Sequence, residues 1–392
     1  MKRTSTAGVL ALLATAASPV FAQSSLTLYG MIDEGPEYNS NAGGKQLYNL
    51  TTAAQGGSRW GLRGTEDLGG GTSAIFRLEN GFDLGTGKLG QGGLLFGRQA
   101  YAGLSSRSLG TVTLGRQYDS VVDYIGPLTV GDQWGGTIGS HPGDLDNFDN
   151  TQRTNNSVKY ASVNYDGITF GGLYSFGGMA GNVTRNQVWS LGAGYTNGPL
   201  VLGAAYLNVR NPNVSFFGNS TSGTATPAAN SITSPVYSGY ASANTYQVIG
   251  AGANYTIGAA TLGATYSNIR FIGLGNTAQS GPNPRGLTGN VSFNNVEVSL
   301  KYQLLASLLF GLEYNYTRGN SVNGEDAAQY HQGTVGLDYF LSKRTDVYLV
   351  GVYQHALGVD STGKPAVAAI NQVTPSASNN QTVVSLGFRH KF

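Results

Sequence analysis

Apolar and polar residues alternate along most of the chain, and the alternation is clearest in the final residues. One parity there is occupied by Val384, Leu386, Phe388, His390 and Phe392. Because successive side chains of a β-strand point to opposite faces, this segment predicts a strand with one apolar, aromatic face. Aromatic residues on such a face are typical of the interface of a membrane barrel. Phe388 and Phe392 are therefore predicted to be membrane-interface anchors.

The same alternation recurs in segments of about ten residues, which is long enough for a tilted strand to cross a bilayer. We count about 16 segments, and bacterial barrels have an even number of strands. Short turns rich in Gly, Asn and Asp alternate with long polar connections, at about 118–154, 210–244, 271–289 and 356–381. The pattern predicts an all-β, transmembrane antiparallel barrel with short periplasmic turns and long extracellular loops.

The alternative fold is a soluble β-sandwich, which would need a second sheet to cover every apolar face. The beginning of the chain favours the membrane barrel. Lys2 and Arg3 precede an apolar run that ends in the small residue Ala22, the pattern of a secretory signal peptide. We therefore expect residues 1–22 to be removed and residues 23–392 to form one transmembrane β-barrel domain in the outer membrane.

Composition and charge exclude several classes of function. Charged residues make up 11% of the chain, whereas about 25% is usual for soluble domains. Loss of Lys2 and Arg3 lowers the formal net charge from +2 to 0, with 21 basic and 21 acidic residues left. Without a basic excess, nucleic-acid binding is not expected. Cysteine is absent and no metal-ligand spacing stands out, so no cofactor or metal site is predicted.

Most charged residues fall on the inward parity of their strands, as a barrel requires, because a charge facing lipid costs about 2–4 kcal/mol near the bilayer midplane. The inward set includes Arg59, Arg77, Glu79, Arg98 and Arg153. A barrel of about 16 strands is wide enough to leave an aqueous channel unless something fills it.

Four charged residues share the parity of the apolar stripes instead, namely Glu34, Arg116, Arg210 and Arg270. We place all four at the outer ends of outgoing strands. They are either solvated charges at the rim or, for the arginines, partners of anionic lipid headgroups.

The long connection at about 118–154 is acidic and contains no Lys or Arg before Arg153. Its aspartates are Asp119, Asp123, Asp132, Asp144, Asp146 and Asp149. An acidic third loop folded into the lumen would face the wall arginines across a narrowed opening and create a transverse electric field. The alternative is a loop that caps the barrel outside, with its aspartates solvated.

Several motifs recur in order along the whole chain: Leu26-Thr-Leu-Tyr-Gly30, 58–69, 74–79, 98–104, 110–117, Asn156-Ser-Val-Lys-Tyr160 and Arg389-His-Lys-Phe392. In these motifs the chain resembles the trimeric general porins of Gram-negative bacteria, in the form found in β-proteobacteria. The resemblance implies a homotrimer whose strand-one side packs against its neighbours.

The resemblance also implies that Arg59, Arg98 and Arg153 form one wall of a pore constriction. Glu79 and aspartates of the infolded loop would form the other, and Arg77 belongs to the same predicted set. The loop has Gly131-Asp-Gln-Trp-Gly135 where the enteric form has Pro-Glu-Phe-Gly. The aspartates at the constriction are therefore given as a set of candidates, namely Asp132, Asp144, Asp146 and Asp149.

The expected function is passive diffusion of small hydrophilic solutes and ions across the outer membrane, with a mild anion preference. Outer-membrane lipids and lipopolysaccharide are the expected surroundings. A substrate-specific channel would need a ladder of aromatic or basic residues, which is not evident. A barrel hydrolase would need a nucleophile beside a histidine, and the four histidines (His141, His331, His355 and His390) lie on different segments, in or beside loops apart from His390. An enzyme is therefore not expected, while an adhesin role of the loops stays open.

Overall fold

The computed structural model describes residues 24–52, 54–219, 229–321 and 324–392. The predicted signal peptide lies outside the described residues. The strands are β1 (Ser25–Ala42), β2 (Lys45–Thr52), β3 (Arg59–Gly69), β4 (Thr72–Gly81), β5 (Gln99–Ser106), β6 (Gly110–Gln117), β7 (Thr154–Ala161), β8 (Ile168–Ser175), β9 (Val188–Asn197), β10 (Leu200–Arg210), β11 (Thr245–Ile257), β12 (Ala260–Leu274), β13 (Gly289–Leu305), β14 (Leu308–Gly319), β15 (Gln329–Ser342), β16 (Thr345–Leu357) and β17 (Asn380–Lys391).

The strands form one closed antiparallel sheet. From β3 to β17 each strand pairs with the next, and β17 closes the sheet on β1 between the pairs Met31–Lys391 and Asn39–Val383. The extracellular half of β1 pairs with β2 and its periplasmic half pairs with β3. Both pairings are on the edge of β1 opposite β17. Since β2 and β3 follow each other along one edge, they act as a single interrupted strand. The barrel therefore has 16 strands, which confirms the predicted fold.

The outer and inner faces of the barrel differ as the alternation predicts. Along β14, Leu312 and Tyr314 are exposed on the outer face, whereas Glu313 and Asn315 are buried inside. Phe388 and Phe392 are also exposed outside. The backbone of Phe392 pairs with Gly30. None of the helices in the described ranges is long and apolar enough to cross a membrane.

Helices are confined to the loops. Two α-helices, α1 (Ser120–Tyr124) and α2 (Pro212–Ser215), 3-10 turns at Gly126–Leu128, Thr137–Gly139, Pro142–Asp144 and Ser238–Tyr240, and a π turn at Gly131–Gly135 occur among the described residues. Asp119 caps α1 by accepting hydrogen bonds from the backbone N–H groups of Val121 and Val122, at 3.0 and 3.3 Å. This cap directs residues 118–152, hereafter the inner loop, away from the sheet and into the barrel.

The inner loop lies against wall positions that carry no side chain. A Cβ atom at Gly311 would overlap the indole ring of Trp134, and one at Gly336 would approach the same ring at 2.8 Å. A Cβ at Gly192 would likewise overlap the ring of Tyr124. Because interiors pack to the density of organic crystals, these rings lie against the wall only where the side chain is absent.

A buried charge network fixes the same loop to β12 and β13. The Nδ1 atom of His141 lies 2.6 Å from Oδ2 of Asp146, and its Nε2 lies 3.2 Å from Oε2 of Glu297. Ser267 on β12 donates to Asp146 at 2.6 Å, and the N–H of Val130 donates to Glu297 at 3.1 Å. Burial alone would lower the pKa of His141, but the two carboxylates raise it well above its ordinary value. His141 is therefore an imidazolium held between two carboxylates.

The loop at 211–244 and the inner loop share one apolar cluster at the ends of β10–β13. Phe216 and Tyr237 of the loop at 211–244 pack with Tyr246, Phe271 and Phe293 from the strand ends. The opening that is left lies on the side of β1–β7.

Candidate pore constriction

The opening is a cavity of about 440 Å³ in the middle of the barrel. Its wall on the barrel side carries Arg59, Arg98 and Arg153, and its other side is the inner loop. The remaining lining comes from two chain segments that enter the lumen, at 54–57 and 372–373. The infolded position predicted for the acidic loop is therefore found in the structure.

Arg98 does not present a free charge to this opening. Its Nε atom donates to Oε1 of Glu79 at 2.8 Å, and its Nη2 donates to the hydroxyl of Tyr118 at 3.3 Å. The second oxygen of Glu79 accepts from the hydroxyl of Tyr29 at 2.7 Å. Such charge-assisted bonds fix both groups. Arg98 and Glu79 thus form a nearly neutral pair on the wall.

Arg59 and Arg153 differ from Arg98 in this respect. Throughout the described part of the chain, neither is within ion-pair distance of a carboxylate. Arg153 donates to the carbonyl of Thr151 at 3.0 Å, and its guanidinium lies 5.9 Å from the ring centroid of Tyr118. Burial and the neighbouring Arg98 lower the pKa of Arg153 to about 10, so it stays charged at neutral pH.

The loop side of the opening carries Asp132, which is exposed, and Asp149, which is partly exposed. Asp123 also lines the opening, but it forms an ion pair with Lys159 on β7. Partial burial and the carboxylates of Asp144 and Asp132 raise the pKa of Asp149 well above its ordinary value. The loop side is therefore less negative than its number of aspartates indicates.

Two aspartates predicted at the constriction are not there. Asp144 is buried and accepts hydrogen bonds from the backbone N–H groups of Asp149 and Thr151, at 3.0 and 2.9 Å. Asp146 is buried against His141, on the side of the loop that faces β12. The prediction of a constriction role is wrong for both residues, because their oxygens stabilise the fold of the loop instead of facing water.

Arg77 is the remaining wall residue of the predicted set. It lies two residues before Glu79 on β4, and its guanidinium is 5.6 Å from the ring centroid of Tyr29. Arg77 does not line the cavity and lies beyond the Arg98–Glu79 pair on the periplasmic side. It can act on ions that have already passed the opening.

The connection at 356–381, which the sequence predicts to lie outside the barrel, also sends a segment into the lumen. Asn371 donates to the hydroxyl of Ser140 at 2.8 Å, and Ile370 is buried. Gln372 and Val373 then line the cavity. The apolar run Ala366-Val-Ala-Ala-Ile370 within an otherwise polar connection was the available signal.

Three of the four histidines lie in or beside loops, on different segments, as the sequence predicts. His331 and His355 are each the third residue from the loop-side end of a strand. They pair across β15 and β16 on the outer face, where His331 meets the hydroxyl of Tyr314 at 2.7 Å and His355 meets Asn380 at 2.7 Å. Neither lies near His141 inside the barrel, so the structure does not assemble the histidines into one site.

A closed sheet with an apolar outside, a wet inside and a charged opening defines a channel protein of the bacterial outer membrane. A family profile described as "Gram-negative porin" matches residues 8–357. The chain belongs to this family, which confirms the resemblance seen in the motifs and the outer-membrane location. Family and fold are those of a channel.

Relatives with known names are also described as porins. The outer membrane porin protein 32 of Delftia acidovorans is 29% identical over 409 residues, which is 98% of each chain. An outer membrane porin protein of Bordetella pertussis is 39% identical over 239 residues, covering 54% of this chain and 61% of that one. The anion-selective porin from Comamonas acidovorans superposes with a TM-score of 0.69 at 25% identity, over 94% of this chain and 100% of that one. OmpT of Vibrio cholerae, at 16% identity and a TM-score of 0.62, shares the fold.

Proposed function

We propose that this chain is a passive diffusion channel for small hydrophilic solutes and ions, with a mild anion preference. The observation that carries the proposal is the pair Arg59 and Arg153, which face an opening of about 440 Å³ without carboxylate partners among the described residues. A guanidinium stays ionised at any physiological pH. The name of the Comamonas acidovorans neighbour, an anion-selective porin, points the same way.

The mechanism follows from the two sides of the opening. Arg59 and Arg153 hold one side positive, whereas Asp132 and Asp149 hold the other side negative. Polar solutes align with the field between them, and apolar solutes must disrupt the water ordered by it. Because the negative side is weakened by the Asp123–Lys159 pair, anions gain more than cations. Conduction needs no catalytic residue, and we propose no enzymatic activity.

We also propose a homotrimer in contact with outer-membrane lipids and lipopolysaccharide. The outer face of β1–β3 exposes Leu26, Leu28, Tyr48 and Leu50. Exposed apolar area of this kind suits a subunit interface or lipid. Native mass spectrometry in mild detergent measures the subunit number, and a monomer under all mild conditions would contradict the trimer.

Conductance in planar bilayers tests the channel itself. Purified protein is expected to insert in large, ohmic steps, and the reversal potential in a salt gradient is expected to show anion preference. Screening acts over about 10 Å at 0.1 M salt, so the preference should weaken as salt rises. Insertion without current would overturn the channel, and a cation-selective reversal potential would overturn the assigned preference.

A further inference from the structure

The four outward charges predicted at the rim do not share one environment. Glu34 lies in the middle of β1, so its placement at the rim is wrong. Arg116 donates to Asn155 at 2.5 Å, and Arg210 donates to Thr245 at 2.9 Å. The protein itself satisfies these two arginines at least in part.

Arg270 on β12 has no such partner. It is exposed on the outer face near the extracellular end, and a second exposed arginine, Arg318, occupies the same face of β14. Neither guanidinium forms an ion pair or a hydrogen bond with any residue in the described ranges. Acidic residues of the adjoining strands, Glu297, Glu313 and Asp338, all face the interior. This patch is therefore an uncompensated positive surface.

The spacing of the two arginines suits one headgroup with two phosphates. Arg270 lies level with Ser292 on β13, and Arg318 lies level with Asn294 on the same strand. With strands about 4.8 Å apart and about 3.4 Å per residue, the two Cα atoms are about 12 Å apart. Arginine side chains at that separation can each bind one phosphate, since a guanidinium matches phosphate geometry with two parallel donors.

A groove begins directly below Arg318. It is a cavity of about 350 Å³ on the outer face, lined by Val296, Val298, Tyr314, Tyr316 and His331. Gly333 lies level with Tyr314 on one side and Tyr353 on the other. A Cβ at Gly333 would meet no atom closer than 3.9 Å, so the missing side chain leaves open space between two aromatic residues.

The chemistry along the groove follows the depth of an outer leaflet. In order toward the extracellular side, β14 presents Leu312, Tyr314, Tyr316 and Arg318 on its outer face. The hydroxyl of Tyr314 is bonded to His331 at 2.7 Å, and that of Tyr316 donates to a glutamine of β15. Their polar atoms are thus occupied within the protein, and their rings stay available to an acyl chain. Tyrosines in this position mark the membrane–water interface.

We propose that Arg270, Arg318 and the groove beside Gly333 bind a phosphorylated, multiply acylated glycolipid of the outer leaflet, the chemistry of lipopolysaccharide. The two phosphates lie on the arginines and one acyl chain lies in the groove. The inference deepens the lipid contact proposed above, and it does not depend on conduction. Binding and channel activity can therefore fail separately.

Native mass spectrometry of the full protein in mild detergent, titrated with diphosphorylated lipid A, tests the proposal. An arginine near an anionic lipid surface contributes about 1 kcal/mol, or about fivefold, so R270A/R318A should weaken binding about 25-fold. Gly333→Leu should also weaken binding, because leucine fills the groove. Conductance of both variants should equal that of the parent, since all three positions lie outside the barrel.

Two matched controls separate this site from general effects. Arg107→Ala removes an exposed arginine from a periplasmic turn, and Ala204→Leu adds a leucine on the outer face of β10. Both should leave lipid binding unchanged. Undiminished binding by R270A/R318A, or equal binding of dephosphorylated lipid A or of phosphatidylglycerol, would overturn the proposal. A lower subunit number in R270A/R318A would also overturn it, because the face would then be an interface between copies of this chain.

Discussion

The interior of the barrel has two contrasting sides. On β3–β7 the wall carries long, charged side chains that line the opening, among them Arg59, Arg98 and Arg153. On β9–β15 the wall has glycines under the inner loop, at Gly192, Gly203, Gly250, Gly311 and Gly336. The inner loop packs on the side of the wall that has glycines, where the buried carboxylate of Glu297 binds it. The position of the opening is therefore set by the wall opposite the arginines as much as by the arginines themselves.

Removal of His141 should have the largest effect on the position of the inner loop against the wall. In His141→Ala, Asp146 and Glu297 are left buried without their common cation. Breaking a buried ion pair in this way costs about 3–5 kcal/mol, which should release the inner loop from the wall. Hydrogen exchange of amides at 125–150 should become faster and single-channel current noisier. His355→Ala, on the outer face, is the control.

The same network predicts a pH window for the loop. The raised pKa of His141 means that its contribution is complete below pH 6.5 and is lost as the pH rises through the higher folded value. Burial opposes ionisation of Asp146, but His141 lowers its pKa below the ordinary value, so that contribution is lost only in strong acid. Protection factors of the amides at 125–150, taken relative to intrinsic exchange at each pH, should stay constant between pH 5 and pH 7, and a fall over this range would contradict the assignment.

A side chain added to the glycine side should have the next largest effect. In Gly311→Val the new atoms overlap the ring of Trp134, and overpacking of this kind costs about 1–3 kcal/mol. The π turn at Gly131–Gly135 must then move toward the arginines, so single-channel conductance should fall. Gly351→Val is the matched control, since its Cβ would meet no atom closer than 3.7 Å. Equal conductance in the two variants would show that the loop position does not depend on the glycine.

On the arginine side, free and paired charges can be compared directly. R59A/R153A removes two unpaired cations, whereas R98A/E79Q removes the Arg98–Glu79 pair and leaves the net charge unchanged. A unit charge about 10 Å away in water changes an ion's energy by about 0.4 kcal/mol, about twofold in permeability. Each charge shifts anion and cation permeability in opposite directions, so R59A/R153A should lower the anion-to-cation permeability ratio about 16-fold, and R98A/E79Q should hardly change it. Reversal potentials decide between them, and equal shifts would remove the distinction.

The arginine side of the barrel could be predicted from the sequence, because strands have a regular two-residue period. The two-residue period of a strand orients Arg59 and Arg98 toward the lumen, and it predicts the barrel itself. The inner loop has no such period, so the sequence did not distinguish Asp132, which faces water, from Asp146, which is bonded to His141. The alternation of apolar and polar residues does not reveal the role of the wall glycines either. Their role is seen only in the structure, where a ring such as that of Trp134 packs against them.

The smallest expected effect comes from the loop side of the opening and concerns acidification. Because partial burial and nearby carboxylates raise the pKa of Asp149, this residue takes up a proton above the ordinary range of an aspartate. Arg153, with a pKa of about 10, keeps its charge. The anion-to-cation permeability ratio should therefore rise as the pH falls, by about fourfold for one lost negative charge. Reversal potentials between pH 8 and pH 4 should show this rise in the parent and in Asp166→Asn, a change in an exposed periplasmic turn, and should lose it in Asp149→Asn. If the rise survived in Asp149→Asn, another group would be responsible, and the loop would contribute shape to the opening and little of its field.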